Sequence, residues 1–96
     1  MFELFVRTVL TDNSQHETLL TWTSLIEFEN IHKISVMEAV DKDISAKYLN
    51  TLAWLAHKQL GPVASIEKFA EQVKAVQVRA ERVPFGETES TESSRG

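Results

Sequence analysis

Three histidines, two pairs of carboxylates and one tryptophan are the residues of this chain with chemistry to offer. His16, His32 and His57 are the natural metal ligands or proton carriers, but they fall on three different predicted elements, and none has a ligand-type partner four residues away on a helix. Three separate, exposed or half-exposed histidines are expected. Glu27 and Glu29 stand two apart, which sends them to different sides of a helix and makes them a poor general acid/base pair. Solvation and helix capping account for Asp41 and Asp43. No serine occupies a nucleophile elbow, and Gly61, Gly86 and Gly96 are too scattered to cradle a phosphate. The chain has no cysteine, which removes thiol nucleophiles, disulfides, iron–sulfur clusters and thiolate zinc sites. It reads as a non-enzyme with neither metal nor cofactor.

Trp54 calls for a different explanation. On a helix ending at Leu60 it shares a polar face with Lys47, Asn50, Thr51, His57 and Lys58, whose spacing makes one continuous stripe. A tryptophan in water is costly, and tryptophan is a common anchor at protein interfaces. Either the hairpin or the helix after Ser65 folds over it, or a partner does. Trp54, Lys47, Asn50, Thr51, His57 and Lys58 are therefore the candidate partner-binding residues. On this reading Trp54→Ala weakens partner binding and leaves the fold largely intact. Trp22, at the junction of hairpin and first helix, reads as a core staple between the two. Lys68, Lys74, Arg79 and Arg82 are interleaved with Glu71 and Glu81, the pattern of a solvated face.

These residues need elements to hold them. Phe2 to Leu10 alternates as a strand, with Phe2, Leu4, Val6, Thr8 and Leu10 on one face and Phe5 and Val9 partly burying the other. Thr11-Asp12-Asn13-Ser14 is a turn, and His16 to Thr21 completes a hairpin. Thr23 is placed to cap a short helix over Ser24 to His32. From Ile34 to Asp43 the pattern fits either a helical turn opened by a Ser35–Glu38 capping box, carrying Met37 and Val40, or an irregular connector. Asp43 or Ser45 caps the next helix, which runs to Leu60 and is stopped by Gly61 and Pro62. Its apolar half holds Ile44, Tyr48, Leu49, Leu52, Ala53, Leu55, Ala56 and Leu60. Ser65 caps a last helix with Ile66, Phe69, Ala70, Val73 and Val76 on its stripe. Val76 and Val78 then alternate with Gln77 and Arg79, so a short extended segment follows.

The predicted fold class is α+β: a small N-terminal β-hairpin packed with about three helices, forming one domain over residues 1–83. From Pro84 to Gly96 a polar tail follows, with no hydrophobic residue after Gly86, and it is expected to be disordered. Ninety-six residues of 10.9 kDa leave room for one small domain. Ten Lys and Arg stand against fourteen Asp and Glu, a balance that disfavours a general nucleic-acid binder. No apolar run approaches the roughly 20 residues of a membrane span and no secretory leader is recognisable, so neither membrane nor export is expected.

Leu52-Ala53-Trp54-Leu55-Ala56-His57-Lys58, then Gly61, then Ser65-Ile66-Glu67-Lys68-Phe69 leading to Val73, Val76 and Val78, resemble the tail assembly chaperones of long-tailed, siphovirus-type bacteriophages. Such proteins order a hairpin, a helix with a pattern like Ile26-Glu27-Phe28-Glu29, an Ala-Trp-Leu-Ala helix and a short helix ending in alternating valines. The resemblance covers Phe2 to Val78 and is best from Leu49 to Val78. The turn at Asp12-Asn13-Ser14 departs from it in lacking a glycine, and Ile34 to Asp43 has no family pattern.

The resemblance implies a non-catalytic accessory protein of the host cytoplasm. It would bind the tape measure protein and keep it soluble while the tail tube assembles. Further partners implied are the tail tube protein and a longer, frameshifted form of the chaperone itself, this chain being the short form. Self-association would use the hairpin edge. The alternatives are a structural tail or head–tail connector subunit of the particle, and a small phage regulatory or nucleic-acid-binding protein.

Overall fold

A computed structural model describes residues 2–41 and 44–82. The expected tail over Pro84 to Gly96 and the alternative cap Asp43 lie outside the described residues. The fold is α+β, as the sequence predicts, with a third strand and a fourth helix that complete it.

β1 (Phe2–Leu10) and β2 (Gln15–Leu19) form the antiparallel hairpin, in the register Val6↔Thr18 and Thr8↔His16. Asn13 supplies the left-handed residue of the turn at φ 72°, so no glycine is needed. Asp12 closes the turn by accepting from the Ser14 amide at 2.9 Å and the Ser14 hydroxyl at 2.6 Å. These bonds hold its carboxyl below the usual aspartate range.

Helix α1 (Trp22–His32) begins one turn-defining residue pair earlier than the sequence suggests. Thr21, not Thr23, is its N-cap, accepting from the Ser24 amide at 3.2 Å. At its other end Lys33 adopts the left-handed conformation, φ 56°, and its amide bonds the Glu29 carbonyl. Of the two readings of the following segment the helical one holds: in α2 (Val36–Asp41) Ser35 accepts from Glu38 N at 3.1 Å, while the reciprocal bond of a full capping box is not formed among the described residues. Glu29 reaches over from α1 to accept from Val36 N at 2.9 Å, so a second orphan amide is satisfied.

Helix α3 (Ala46–Leu60) is capped by Ser45 and stopped at Gly61, whose φ of 154° is open to glycine and strained for other residues. Helix α4 (Ile66–Ala70), capped by Ser65, is much shorter than expected. Val73 and Val76 belong not to its stripe but to β3 (Val73–Arg82), a ten-residue strand antiparallel to β1. Both a 3.6-residue and a 2-residue period fit the valines up to Val76. What decides is the second edge of β1, whose backbone groups need a partner.

The sheet order is β2-β1-β3. Leu4, Val6 and Thr8 of the central strand are fully buried on one face beneath the helices, against Leu25 and Phe28 of α1, Val36 and Ala39 of α2, Leu52, Ala53, Leu55 and Ala56 of α3, and Phe69 of α4. On the opposite face the Arg79 guanidinium lies 4.2 Å from the centroid of Phe5, and Glu17 and Glu81 pair with it. Arg79 is thus paired with carboxylates of its own chain, and Lys74 donates to the Asn13 side chain at 2.9 Å.

Candidate functional site

Helix α3 was the expected carrier of a partner-binding stripe, and the structure puts most of that stripe to internal use. Thr51 is not on a wet face. It is 1% exposed, donates to the Lys47 carbonyl at 3.1 Å and meets His32 Nε2 at 2.8 Å. Asn50 is half-buried and donates to the Ile66 carbonyl at 3.3 Å. His57 is half-buried between His16 and Phe69, each ring 5.0 Å away, with Nδ1 3.2 Å from the Ala53 carbonyl. Lys47 and Lys58 alone stay exposed, and Lys58 forms a 2.7 Å ion pair with Glu27 of α1.

Trp54 itself is half-buried and packs against the core. Its indole N–H donates to the Ala64 carbonyl at 2.8 Å, and the Lys58 ammonium sits 4.9 Å from its ring centroid. The covering comes from the connector between α3 and α4. One flank of α3 therefore packs on α1 and the other on this connector, an arrangement the apolar half alone does not reveal. With these contacts, Trp54→Ala is expected to destabilise the fold by about 2–3 kcal/mol, just below the range for fully buried aromatics because the ring is only half-buried. Urea unfolding of the variant checks this, and an unchanged midpoint would return Trp54 to the surface.

One expectation about histidines changes as well: all three are half-exposed as expected, but they are not all separate. His16 and His57 do converge, edge to face across β2 and α3. His32 is held in an aromatic niche between Phe28, at 4.9 Å, and Tyr48, at 4.8 Å. Since the Thr51 hydroxyl donates to Lys47, it has lone pairs left to accept the Nε2–H of a neutral His32. Burial first, and then the Lys47 charge, hold the His32 pKa below its ordinary 6.5.

The sign of the pH dependence follows. Above 6.5 His32 is neutral in both states and the full stability is present. As the pH falls below that value the unfolded chain takes the proton first, and stability is lost until the lowered folded-state pKa is passed. Urea unfolding between about pH 8 and about pH 5 should show this decline, and His32→Gln should flatten it.

Where the stripe of α3 closes, a different surface opens. Trp22, read as a core staple, is 66% exposed. With Thr21 as cap it becomes the first helical residue, and it turns away from the buried line of Ser24, Leu25 and Phe28. Ile26, one turn on, is 47% exposed, and the i, i+4 spacing places both on one ridge. Gln59 fixes the base of this ridge: its Oε1 accepts from Thr21 N at 2.9 Å and Ser24 Oγ at 2.6 Å, and its Nε2 donates to the Leu19 carbonyl at 3.1 Å. The end of β2, the start of α1 and the end of α3 meet at this corner, and Leu19 and Leu60 are exposed there too. A tighter reading of the cap could have found the ridge, because moving it from Thr23 to Thr21 rotates Trp22 out of the core.

Among the described residues no group of three or more His, Asp or Glu could hold a metal ion, and no helix is long and apolar enough to cross a membrane. The chain matches no protein-family model, no curated protein and no solved structure.

Proposed function

We propose that this protein is a non-catalytic tail assembly chaperone of a long-tailed bacteriophage, working in the host cytoplasm on the tape measure protein. The observation that carries the reading is the exposed Trp22–Ile26 ridge on a corner braced by Gln59. A large aromatic left in water on a rigid helix is suited to cover apolar helical segments of a client. Further support comes from the order of elements in the resemblance: hairpin, Ile26-Glu27-Phe28-Glu29 helix, Ala-Trp-Leu-Ala helix, short helix, alternating valines. The client site is thereby moved from the face of α3 to α1. The tail tube protein and a longer form of the chain remain partners under this proposal.

The test is a pull-down on the tagged protein from infected cells, with the bound proteins identified by mass spectrometry. Recovery of a long, helical tape-measure-type protein, together with absence of the chain from purified particles, is the expected result. Stoichiometric presence in particles would make it a structural tail or connector subunit instead. Salt-dependent capture of nucleic acid alone would make it a regulator.

A further inference from the structure

The sheet has two edges, and the chain treats them differently. The edge at β2 is five residues long, and Gln59 Nε2 occupies its Leu19 carbonyl. Short length and a capped carbonyl are ways of blunting an edge against pairing. The edge at β3 is ten residues long, and among the described residues no strand lies beyond it.

Backbone polarity along that edge follows from the ladder. Leu4 O accepts from Leu20 N and Leu10 N donates to Ser14 O, so even-numbered residues of β1 turn toward β2. Thr11 N, by contrast, donates to Gln72 O on the other side. Odd-numbered residues of β1 therefore serve β3, and the register Phe5↔Arg79 and Arg7↔Gln77 commits Arg79 and Gln77 to β1. Val76, Val78 and Ala80 are left with N–H and C=O directed outward. Their side chains lie on the helical side of the sheet, beside a groove formed with Met37, Val40, Asp41, Ile44 and Leu49, mixed in character because of Asp41. Whatever fills this edge must be extended, apolar on the groove side and polar on the other.

We propose that β3 is the seam of a two-fold antiparallel dimer of this chain, with the axis through Val78. β3 is complementary to itself in this register. Val78 meets its own copy and Val76 lies opposite Ala80, so all three outward-facing residues pair and small apolar side chains continue over both grooves. On the outer side Gln77 lies opposite Arg79, and at each end, beyond the apolar stretch, Lys74 falls opposite Arg82, the one like-charged pairing in this register. Glu81, which already pairs with Arg79 of its own chain, lies opposite Ala75. Self-association thus moves from the hairpin edge, where the sequence places it, to the far edge of the sheet. The inference is independent of the client reading. Because the Trp22 corner follows β2, at the opposite edge, a dimer would carry two such corners and grip a long partner bivalently.

The test uses the full chain. Sedimentation across a concentration series is expected to show a reversible dimer. Ala80→Pro removes an outward amide that β1 does not use, and proline is tolerated on an edge strand. It should weaken the dimer at least about tenfold with an unchanged circular dichroism spectrum. The chain has no cysteine, so Val78→Cys gives an unambiguous second readout, a covalent dimer on mild oxidation. That variant decides the matter should the proline variant fail to fold. A wild-type chain that stays monomeric at every concentration overturns the proposal, as does a dimer indifferent to Ala80→Pro or a Val78→Cys chain that does not cross-link. A monomer whose capture of another protein is lost in Ala80→Pro would also overturn it, assigning the edge to that protein.

Discussion

Phe28→Ala should cost about 3–5 kcal/mol, the range for deleting a fully buried aromatic from a core. Phe28 has no exposed surface and stands where α1 meets α3, with Tyr48 at 5.8 Å edge-on and His32 at 4.9 Å. Its removal takes away the packing of its own ring and the wall of the niche that keeps His32 neutral. Domains of this size have a total stability on the order of 5–15 kcal/mol, so the variant should lose a large share of its stability and unfold at a clearly lower temperature. Equilibrium urea unfolding with far-ultraviolet circular dichroism is the measurement. Phe28→Leu should recover much of the loss, because it restores most of the volume. A loss below about 1 kcal/mol for Phe28→Ala would mean that the α1–α3 contact is not the centre of the core.

Trp22→Ala should do the opposite: little to stability and much to binding. Two-thirds of the residue is already in water, and substitutions at such surface sites usually change stability by no more than about 0.5 kcal/mol. As an anchor for a client it should behave as an interface hot spot, where truncation costs about 2 kcal/mol or more, roughly a thirtyfold loss of affinity. The readout is calorimetric titration with the client recovered in the pull-down, beside a thermal melt of each variant. Ile26→Ala should weaken binding less, being a smaller contact on the same ridge. Unchanged affinity in Trp22→Ala would sink the assignment of this corner. A large drop in melting temperature would show that the indole is packed after all. The pairing of Trp22→Ala with Trp54→Ala is informative in itself, since sequence reasoning assigns their roles the other way round.

Much of the fold was legible without coordinates. The hairpin follows from two-residue alternation and an Asp-Asn-Ser turn, and the long helix from eight apolar residues on one half with Ser45 and Gly61 at its ends. Ser35 marked a candidate start of α2, with an irregular connector left open beside it. These features are local: a cap, a turn or a period is set by residues within a few positions of one another, so they survive reading in one dimension. The α+β class follows from them.

The tertiary structure decided the rest, for reasons that local pattern cannot carry. Whether Val73 and Val76 continue a helix or open a strand depended on the unpaired side of β1, far away in sequence. Whether Trp54 was bare depended on a carbonyl of Ala64 that folds back onto it, and whether Thr51 was wet depended on His32 from another helix. Trp22 went to the surface because a two-residue shift of the cap rotates the first turn of α1, and helix ends are where local preferences compete most evenly. By itself the sequence determined the hairpin, its turn and the long helix α3, and that no thiol chemistry is present. Which of its two tryptophans is covered, and which sheet edge stays unpaired among the described residues, was decided by long-range packing, because burial is a property of pairs of segments and not of either one alone.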